Sequence, residues 1–256
     1  MPPLRVRPYR WLAEYYDQIF QVPAGFTAAR KKILKPLWPG IRIACDLACG
    51  TGRTMVELAG RGIKVYGVDL SPGMCKAARA KLRQQGVKAR VIEADMRDFL
   101  LPEPVDLVTC EFDALNHVPE RADLARVADA VSAALNGGGH FFFDVNNRGA
   151  FLNTWEEVWW NDLPGVAMVM HGKCEPDGLR AACEVDWFVE QKNGLWRRHR
   201  ERVEEVCWSE AEMRRTLRAA GFDQVQAWDA SPFFRNRFYS PGYRSFYLAR
   251  KGRAQR

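Results

Sequence analysis

Residues 41–54, IRIACDLACGTGRT, constrain this 256-residue chain more than any other stretch. Apolar residues around Arg42 lead to Asp46, then to Leu-Ala-Cys and Gly50-Thr51-Gly52. A helical pattern opens at once with Met55, Val56, Leu58 and Ala59. That order reads as a buried parallel strand, a tight glycine turn and a helix N-terminus, the unit that holds a nucleotide-like ligand at the carboxyl end of a strand. Two near variants fail. A dinucleotide loop needs Gly-x-Gly-x-x-Gly, and Met55 stands where the third glycine belongs. A phosphate loop needs lysine in place of Arg53 and glycine in place of Leu47.

Asp46 says more than the glycines. A carboxylate at the strand end repels phosphate and attracts a cation. The expected ligand is therefore adenosine-like with positive charge near the loop, which describes S-adenosylmethionine with its sulfonium and ammonium groups. Here the chain resembles the class I S-adenosylmethionine-dependent methyltransferases, whose first motif is acid-x-Gly-x-Gly-x-Gly. This chain has Asp46-x-Ala48-x-Gly50-x-Gly52. Alanine at the first glycine position is tolerated unless that backbone needs a positive φ. Geometry alone can also place Asp and Gly in a strand-to-helix turn.

Residues 63–70 read as a second strand ending in Asp69, 17 residues beyond Gly52. That is close to the spacing of about 20 at which an acid meets a ribose, and a carboxylate accepts from both ribose hydroxyls. Asp69 could instead cap the next helix, which opens at Ser71-Pro72 and runs to about residue 85. A third strand, 87–93, precedes Asp95-Met96. There the resemblance implies an acid and an apolar residue against the adenine; a plain turn aspartate is the alternative. Ala48, Cys49, Leu70, Met74, Glu111 and Phe112, in or beside the same turns, complete the expected cofactor set.

The fourth strand, 105–110, opens into EFDALNHV, where the acceptor is expected. Asp113 reads as a helix cap. His117 reads equally as a general base, with a reference pKa of about 6.5, or as a surface histidine. Neither an Asx-Pro-Pro-aromatic tetrapeptide nor a Pro-Cys pair occurs, which removes two known acceptor signatures. Ahead of the first strand, residues 9–20 carry aromatics at 9, 11, 15, 16 and 20 with helical spacing, and a second helix follows Pro23. The resemblance implies a lid here, with Tyr16 of Tyr16-Asp17 facing the site as a catalytic candidate beside His117.

A helix over 119–135 leads through Asn136-Gly137-Gly138-Gly139, read as its C-cap, into a strand at 140–145. Five β-α alternations give a doubly wound α/β sheet. From 146 to 208 strand patterns replace helical ones, at 166–171, 179–191 and 195–208. Asn193-Gly194 reads as a two-residue hairpin turn, which would set Glu190 against Arg197, Trp187 against Arg200 and Asp186 against Glu201. Six of the nine tryptophans (155, 159, 160, 187, 196, 208) fall in this stretch, either lining an acceptor roof or filling its own core. Residues 209–256 return to the first fold, with Ser209 and Glu212 as a capping box and strands at 223–228 and 243–249. The expected organisation is a lid and cofactor half (1–145), an inserted antiparallel β platform covering the acceptor (146–208), and a return to the sheet ending in a basic tail (209–256). The fold class is a Rossmann-like seven-stranded methyltransferase sheet with a final antiparallel hairpin.

The expected function is methyl transfer from S-adenosylmethionine to an N or O nucleophile of a small-molecule acceptor. An RNA methyltransferase is the alternative. The net charge of +7 and Arg197-Arg198-His199-Arg200 speak for it, and the lack of a recognisable RNA-binding module against it. A non-catalytic cofactor-binding interaction module would have no need of Asp46, Asp69 and Asp95 together. Seven cysteines, odd in number and without a C-x-x-C pair, suit reduced packing residues in a cytoplasmic protein and no metal site. No run approaches a membrane span. The oligomeric state is left open.

Overall fold

The computed structural model describes residues 12–20 and 23–253. Tyr9 and Trp11, expected in the first helix, lie outside them. Helices α1 (Leu12–Ile19) and α2 (Ala24–Ile33) precede β1 (Ile43–Leu47), α3 (Arg53–Ala59), β2 (Lys64–Asp69), α4 (Pro72–Gln84), β3 (Arg90–Glu93) and β4 (Val105–Cys110). Then come α5 (Arg121–Ala134), β5 (Leu135–Asn146), α6 (Arg148–Thr154) and four strands, β6 (Val158–Leu163), β7 (Val166–Cys174), β8 (Arg180–Glu190) and β9 (Trp196–Val206). Helix α7 (Glu210–Ala219), β10 (Phe222–Asp229) and β11 (Arg244–Lys251) finish the chain. Seven strands form one sheet in the order β10-β11-β5-β4-β1-β2-β3. Neighbours from β5 to β3 are parallel, while β11 runs antiparallel to β5 and to β10. The order reverses between β1 and β4, so a crevice opens at their carboxyl ends.

Alternation along β1 explains why it sits in the middle. Cys45 and Leu47 join the apolar cluster on one face of the sheet, Ala44 the cluster on the other. Both faces are covered, as a central parallel strand requires. The capping box of α7 is present as its sequence predicts. The glycine run at 137–139 is not a helix cap. Leu135 is already extended, and residues 136–139 belong to β5, with an irregularity where it pairs with β4. The end of α5 is served instead by Lys251 of β11, whose Nζ donates to the carbonyls of Ser132 and Leu135 at 2.6 and 2.8 Å.

The second sheet is antiparallel in the order β6-β7-β8-β9. Its last hairpin is offset by one residue from the expected register. Gln191 N–H bonds the Leu195 carbonyl at 2.7 Å, Gly194 N–H bonds the Gln191 carbonyl at 2.9 Å, and Gly194 has φ 76°. The turn therefore holds three residues with glycine in the left-handed position, not two. Asp186 then faces Arg200, Trp187 faces His199 and Val189 faces Arg197. The tryptophans do not share one lining. Trp187 is the buried centre of this sheet, packed with Tyr15, Tyr16, Ile19 and Phe20 of the α1 segment. Trp208 belongs to the main core and donates to the Leu115 carbonyl. Trp159, Trp160 and Trp196 are 45%, 70% and 49% exposed.

One buried ionic network joins three elements at the carboxyl edge. The Asp144 carboxylate, at the end of β5, accepts the backbone N–H groups of Phe112 (2.7 Å) and Asp113 (3.1 Å). Those two residues take φ values of 63° and 52°, and the pair of N–H groups is what Asp144 receives in return. Arg244 of β11 then bonds both Asp144 and Asp113. Asp113 is therefore an ion-pair partner, not the side-chain helix cap expected; it makes no cap hydrogen bond. Burial pushes the Asp144 carboxyl up to about 6, with Arg244 opposing. Arg244→Met would leave two buried carboxylates without a countercharge. The expected loss in chemical denaturation at pH 7 is about 3–5 kcal/mol. It should shrink as the pH falls toward about 6, because Asp144 without the opposing Arg244 takes its proton at a higher pH than in the parent protein. A loss that does not vary with pH would show that packing alone is at stake.

Candidate functional site

The turn after β1 is held in place by Asp69. Its Oδ2 accepts the Gly50 N–H and its Oδ1 the Ser71 N–H, each at 2.8 Å. Ser71 Oγ in turn accepts the Met74 N–H, capping α4. Burial raises the Asp69 pKa, and these two hydrogen bonds oppose it. Gly50 and Gly52 have φ values of 52° and 82°. Ala48 has φ 55°, so the first position does need the left-handed backbone that glycine supplies freely. Alanine there costs about 1–2 kcal/mol, a strain stored at the mouth of the crevice.

A cavity lies at this edge. Asp46, Ala48, Cys49, Gly50 and Met74 wall one side; Glu111, Phe112 and His117 wall the other, with Tyr16 beside them. Gly52, Asp69, Leu70, Asp95 and Met96 stand outside that wall. Leu70 is exposed, and Met96 packs at the margin of the main core. Asp95 is taken up by Arg97, which bonds both of its carboxylate oxygens and also reaches Asp123. Arg97 N–H also donates to Asp95 Oδ1, so the fork belongs to the turn that follows β3.

The cavity is short of positive charge. Asp46 is buried and accepts from Thr109 Oγ1 at 2.7 Å. Burial pushes it up to about 7, against the Thr109 hydrogen bond and Arg30. Glu111 is buried too and pushed up to about 8 by burial, with Arg30 opposing and Asp144 and Asp46 adding to the rise. Arg30, from α2, is buried between Glu111 and Glu57. Arg30 bonds Glu111 through Oε2, while Glu111 Oε1 has no partner among the described residues. Two raised carboxyls and one orphaned carboxylate oxygen are what a cationic ligand would relieve, so the donor set fits S-adenosylmethionine.

Helix α1 closes the other side. Asp17 accepts from Thr51 Oγ1 at 2.7 Å, pairs with Arg53 Nε at 2.8 Å and pairs with Lys81. Arg53 also donates to the carbonyls of Phe20 and Asp17 at 2.8 and 2.9 Å. Tyr16 is thereby fixed over the cavity. Burial, with Asp113 next, raises its pKa well above the usual tyrosine value. Its hydroxyl is a hydrogen-bond donor and not a base at neutral pH.

At the far end His117 meets Asp113 and Glu205, their ligand atoms lying within 4.8 Å of one another. His117 Nδ1 is 3.2 Å from the Glu204 carbonyl and Nε2 is 3.8 Å from Glu205. Burial works against ionised Asp113, yet Arg244, His117 and a hydrogen bond from Glu205 hold its pKa below the usual range. Glu205 is raised, by burial first and then by Asp113, so it is the protonated member of the pair. Arg244 already supplies the cation that this group of acids requires. Asn116 fixes the arrangement, donating to the carbonyls of Asn146 and Val206 and accepting the Asn146 N–H. Arg30, Glu205 and Arg244 were not foreseen as site residues. Each reaches the site across long stretches of chain and carries no local signal.

A sequence model described as a methyltransferase domain matches residues 44–139. A protein of Geobacillus sp. (strain WCH70), provisionally assigned as a methyltransferase, is 25% identical over 224 residues, covering 85% of this chain and 90% of that one. The crystal structure of an S-adenosylmethionine-dependent methyltransferase from Clostridium acetobutylicum superposes with a TM-score of 0.77 at 25% identity, covering 95% of this chain and 99% of that one. The sugar N-methyltransferase KedS8 of Streptoalloteichus sp. follows with a TM-score of 0.75 at 23% identity, covering 94% and 92%, a likeness of fold. With the strand order and the acid-glycine turn already in place, these matches support a class I S-adenosylmethionine-dependent methyltransferase.

Proposed function

We propose that the protein methylates an N or O nucleophile of a small-molecule acceptor, with the acceptor held between Tyr16 and His117. The observation that carries this reading is a single cavity that runs from the cation-poor side at Asp46 and Glu111 to the His117 end. S-adenosylmethionine, when bound, supplies a methyl group already activated on a sulfonium. Asp46 and Glu111 would balance its positive charge, Gly50, Ala48, Cys49 and Met74 would shape its bed, and Phe112 would pack against it. Asp69 keeps Gly50 in position and has lone pairs left for ribose hydroxyls. Gly52, Leu70 and Met96 stay candidates for the outer, adenosine side. Asp95 could serve there only alongside its ion pair with Arg97.

An in-line displacement at an activated methyl asks mainly for alignment and exclusion of water. Tyr16 and α1 cover the methyl position, and the packing of Tyr15 on Trp187 (ring centroids 6.1 Å apart) ties that cover to the second sheet. In the tautomer that donates from Nδ1 to the Glu204 carbonyl, His117 takes the acceptor's proton at Nε2. The neighbouring Asp113–Glu205 pair, with its single negative charge, steadies the imidazolium that results. The sugar N-methyltransferase fold likeness favours an amine, which must arrive deprotonated or lose its proton there.

Two measurements test the assignment. Asp46 and Glu111 rise from 3.8 to about 7 and from 4.5 to about 8 on folding. The folded state therefore keeps protons that the unfolded state has released. Their contribution is fully present below about pH 4 and declines as the pH climbs toward 8. A cationic cofactor should reverse the shift, so binding of S-adenosylmethionine near pH 7 should release protons. Calorimetry in buffers of different ionisation enthalpy reads that release directly. Glu111→Gln should diminish it and weaken binding by about 10-fold or more. Binding without proton release, and indifferent to Glu111→Gln, would remove both acids from the cofactor.

His117→Gln tests the acceptor end. If Nε2 takes the proton, turnover should fall by roughly 100-fold or more and its rise with pH should flatten, while cofactor affinity stays the same. A small loss with an unaltered pH profile would leave alignment as the whole of the catalysis. Mass-shift screening of small amines, phenols and hydroxy acids supplies the acceptor for this assay.

A further inference from the structure

The two faces of the second sheet differ. One carries Trp187, Val185 and Cys183 and packs against α1. The other holds a level row across all four strands: Trp160 opposite Val169, Val169 opposite Asp186, and Asp186 opposite Arg200. The row beside it runs from Val158 to Arg202 in the same way. Trp160 is 70% and Val158 65% exposed at the β6 edge. At the β9 edge the side chains of Arg198, Arg200 and Arg202 are 53%, 51% and 55% exposed. One edge of the face is thus apolar and aromatic, the other a ladder of arginines paired with Asp186, Glu184 and Glu204.

The arginines are also set in a fixed attitude. Asp186 accepts from Nε and Nη2 of both Arg198 and Arg200 at 2.7–2.9 Å. A guanidinium gripped end-on by a carboxylate keeps its flat surface for stacking, and its attraction to an indole face survives the pairing. Within one copy Phe188 lies under Arg198 and Trp196 stands two residues from it on β9, whereas Trp160 is three strands away and cannot reach the ladder. Trp160 of a second molecule can.

We propose that this face docks a second copy of the chain, with Trp160 of each copy stacked on the Arg198–Arg200 ladder of the other. A two-fold axis running along the strands, between the two faces, lays β6 of one copy over β9 of its partner and keeps the rows level. The other in-plane axis, across the strands, would set arginine ladder on arginine ladder and Trp160 on the partner's β6, and so forgoes the stacking of indole on guanidinium. Four strands about 4.8 Å apart and about nine residues long span roughly 600 Å² per copy. Twice that lies at the low end of specific interfaces, so the association is modest and depends on concentration.

Sedimentation of the full chain should show a reversible monomer–dimer equilibrium. Trp160→Lys sets a cation against the partner's arginines and should weaken it by at least about 30-fold. Arg200→Glu, which removes a stacking surface from the other edge, should weaken it too. Leu100→Lys adds the same charge at a site 86% exposed on the loop before β4 and should leave the equilibrium unchanged. A chain still monomeric at about 100 μM, or a dimer indifferent to Trp160→Lys, overturns the proposal. So does an equal weakening by Leu100→Lys, which would reduce the effect to net charge.

Discussion

The His117 end of the cavity depends on one carboxylate. Asp144 gathers the N–H groups of Phe112 and Asp113, and so bends the chain leaving β4 through two left-handed residues that are not glycine. Each such residue costs about 1–2 kcal/mol, a cost the surroundings must offset. They do so with Arg244, buried between Asp144 and Asp113. The bend separates Glu111, which faces the glycine turn, from His117, which faces β9. Without it β4 would run on, and the two ends of the cavity would not converge. Asp113 gives up a cap to make this pair, and Arg244 reaches it from the last strand of the chain.

The second constraint is a shortage of positive charge beside Asp46 and Glu111. Asp46 and Glu111 lie within the influence of a single buried arginine. Arg30 belongs to α2, ahead of the sheet, and binds Glu57 of α3 as well, so the same ion that partly neutralises the cavity ties the N-terminal helices to the fold. Breaking a buried pair of this kind is costly because the partner is left charged and dry. A cationic ligand completes the balance. Asp46 and Glu111 are therefore electrostatically frustrated, on the side where a sulfonium would lie.

Much of this was legible because it is local. The strand, turn and helix of residues 41–59 are contiguous, and β4 falls on the expected residues. Serine capping of α4 and the Ser209–Glu212 box are also short-range patterns. What escaped was set by distant partners or by turn geometry. The glycine run at 137–139 looked like a helix end because Lys251, which serves that end, lies more than a hundred residues away. The hairpin at Gly194 slipped by one residue because Asn-Gly suits both a two-residue turn and a three-residue loop with glycine left-handed. The unfavourable Asp186–Glu201 pairing in the expected register was the visible warning, and the true register exchanges it for Asp186 with Arg200. Ala48 showed the opposite error. The motif's preference for glycine was real, and the chain accepts the strain of alanine.

The division of labour follows from what the reaction asks. Because the methyl group is activated before it arrives, the protein has to hold two partners in line and keep water away. The parts that align are the ends of central strands and the turn pinned by Asp69, which cannot shift without disturbing the core on both faces. Helix α1, which sets Tyr16 beside the cavity, is held differently. On the glycine-turn side its ties are ionic and partly exposed, Asp17 with Arg53 and Lys81; on the other side it packs its aromatics onto Trp187. Exposed ion pairs contribute little each and yield to salt, whereas the aromatic contact does not. The ties of α1 to the glycine turn therefore yield to salt before its packing on the second sheet does.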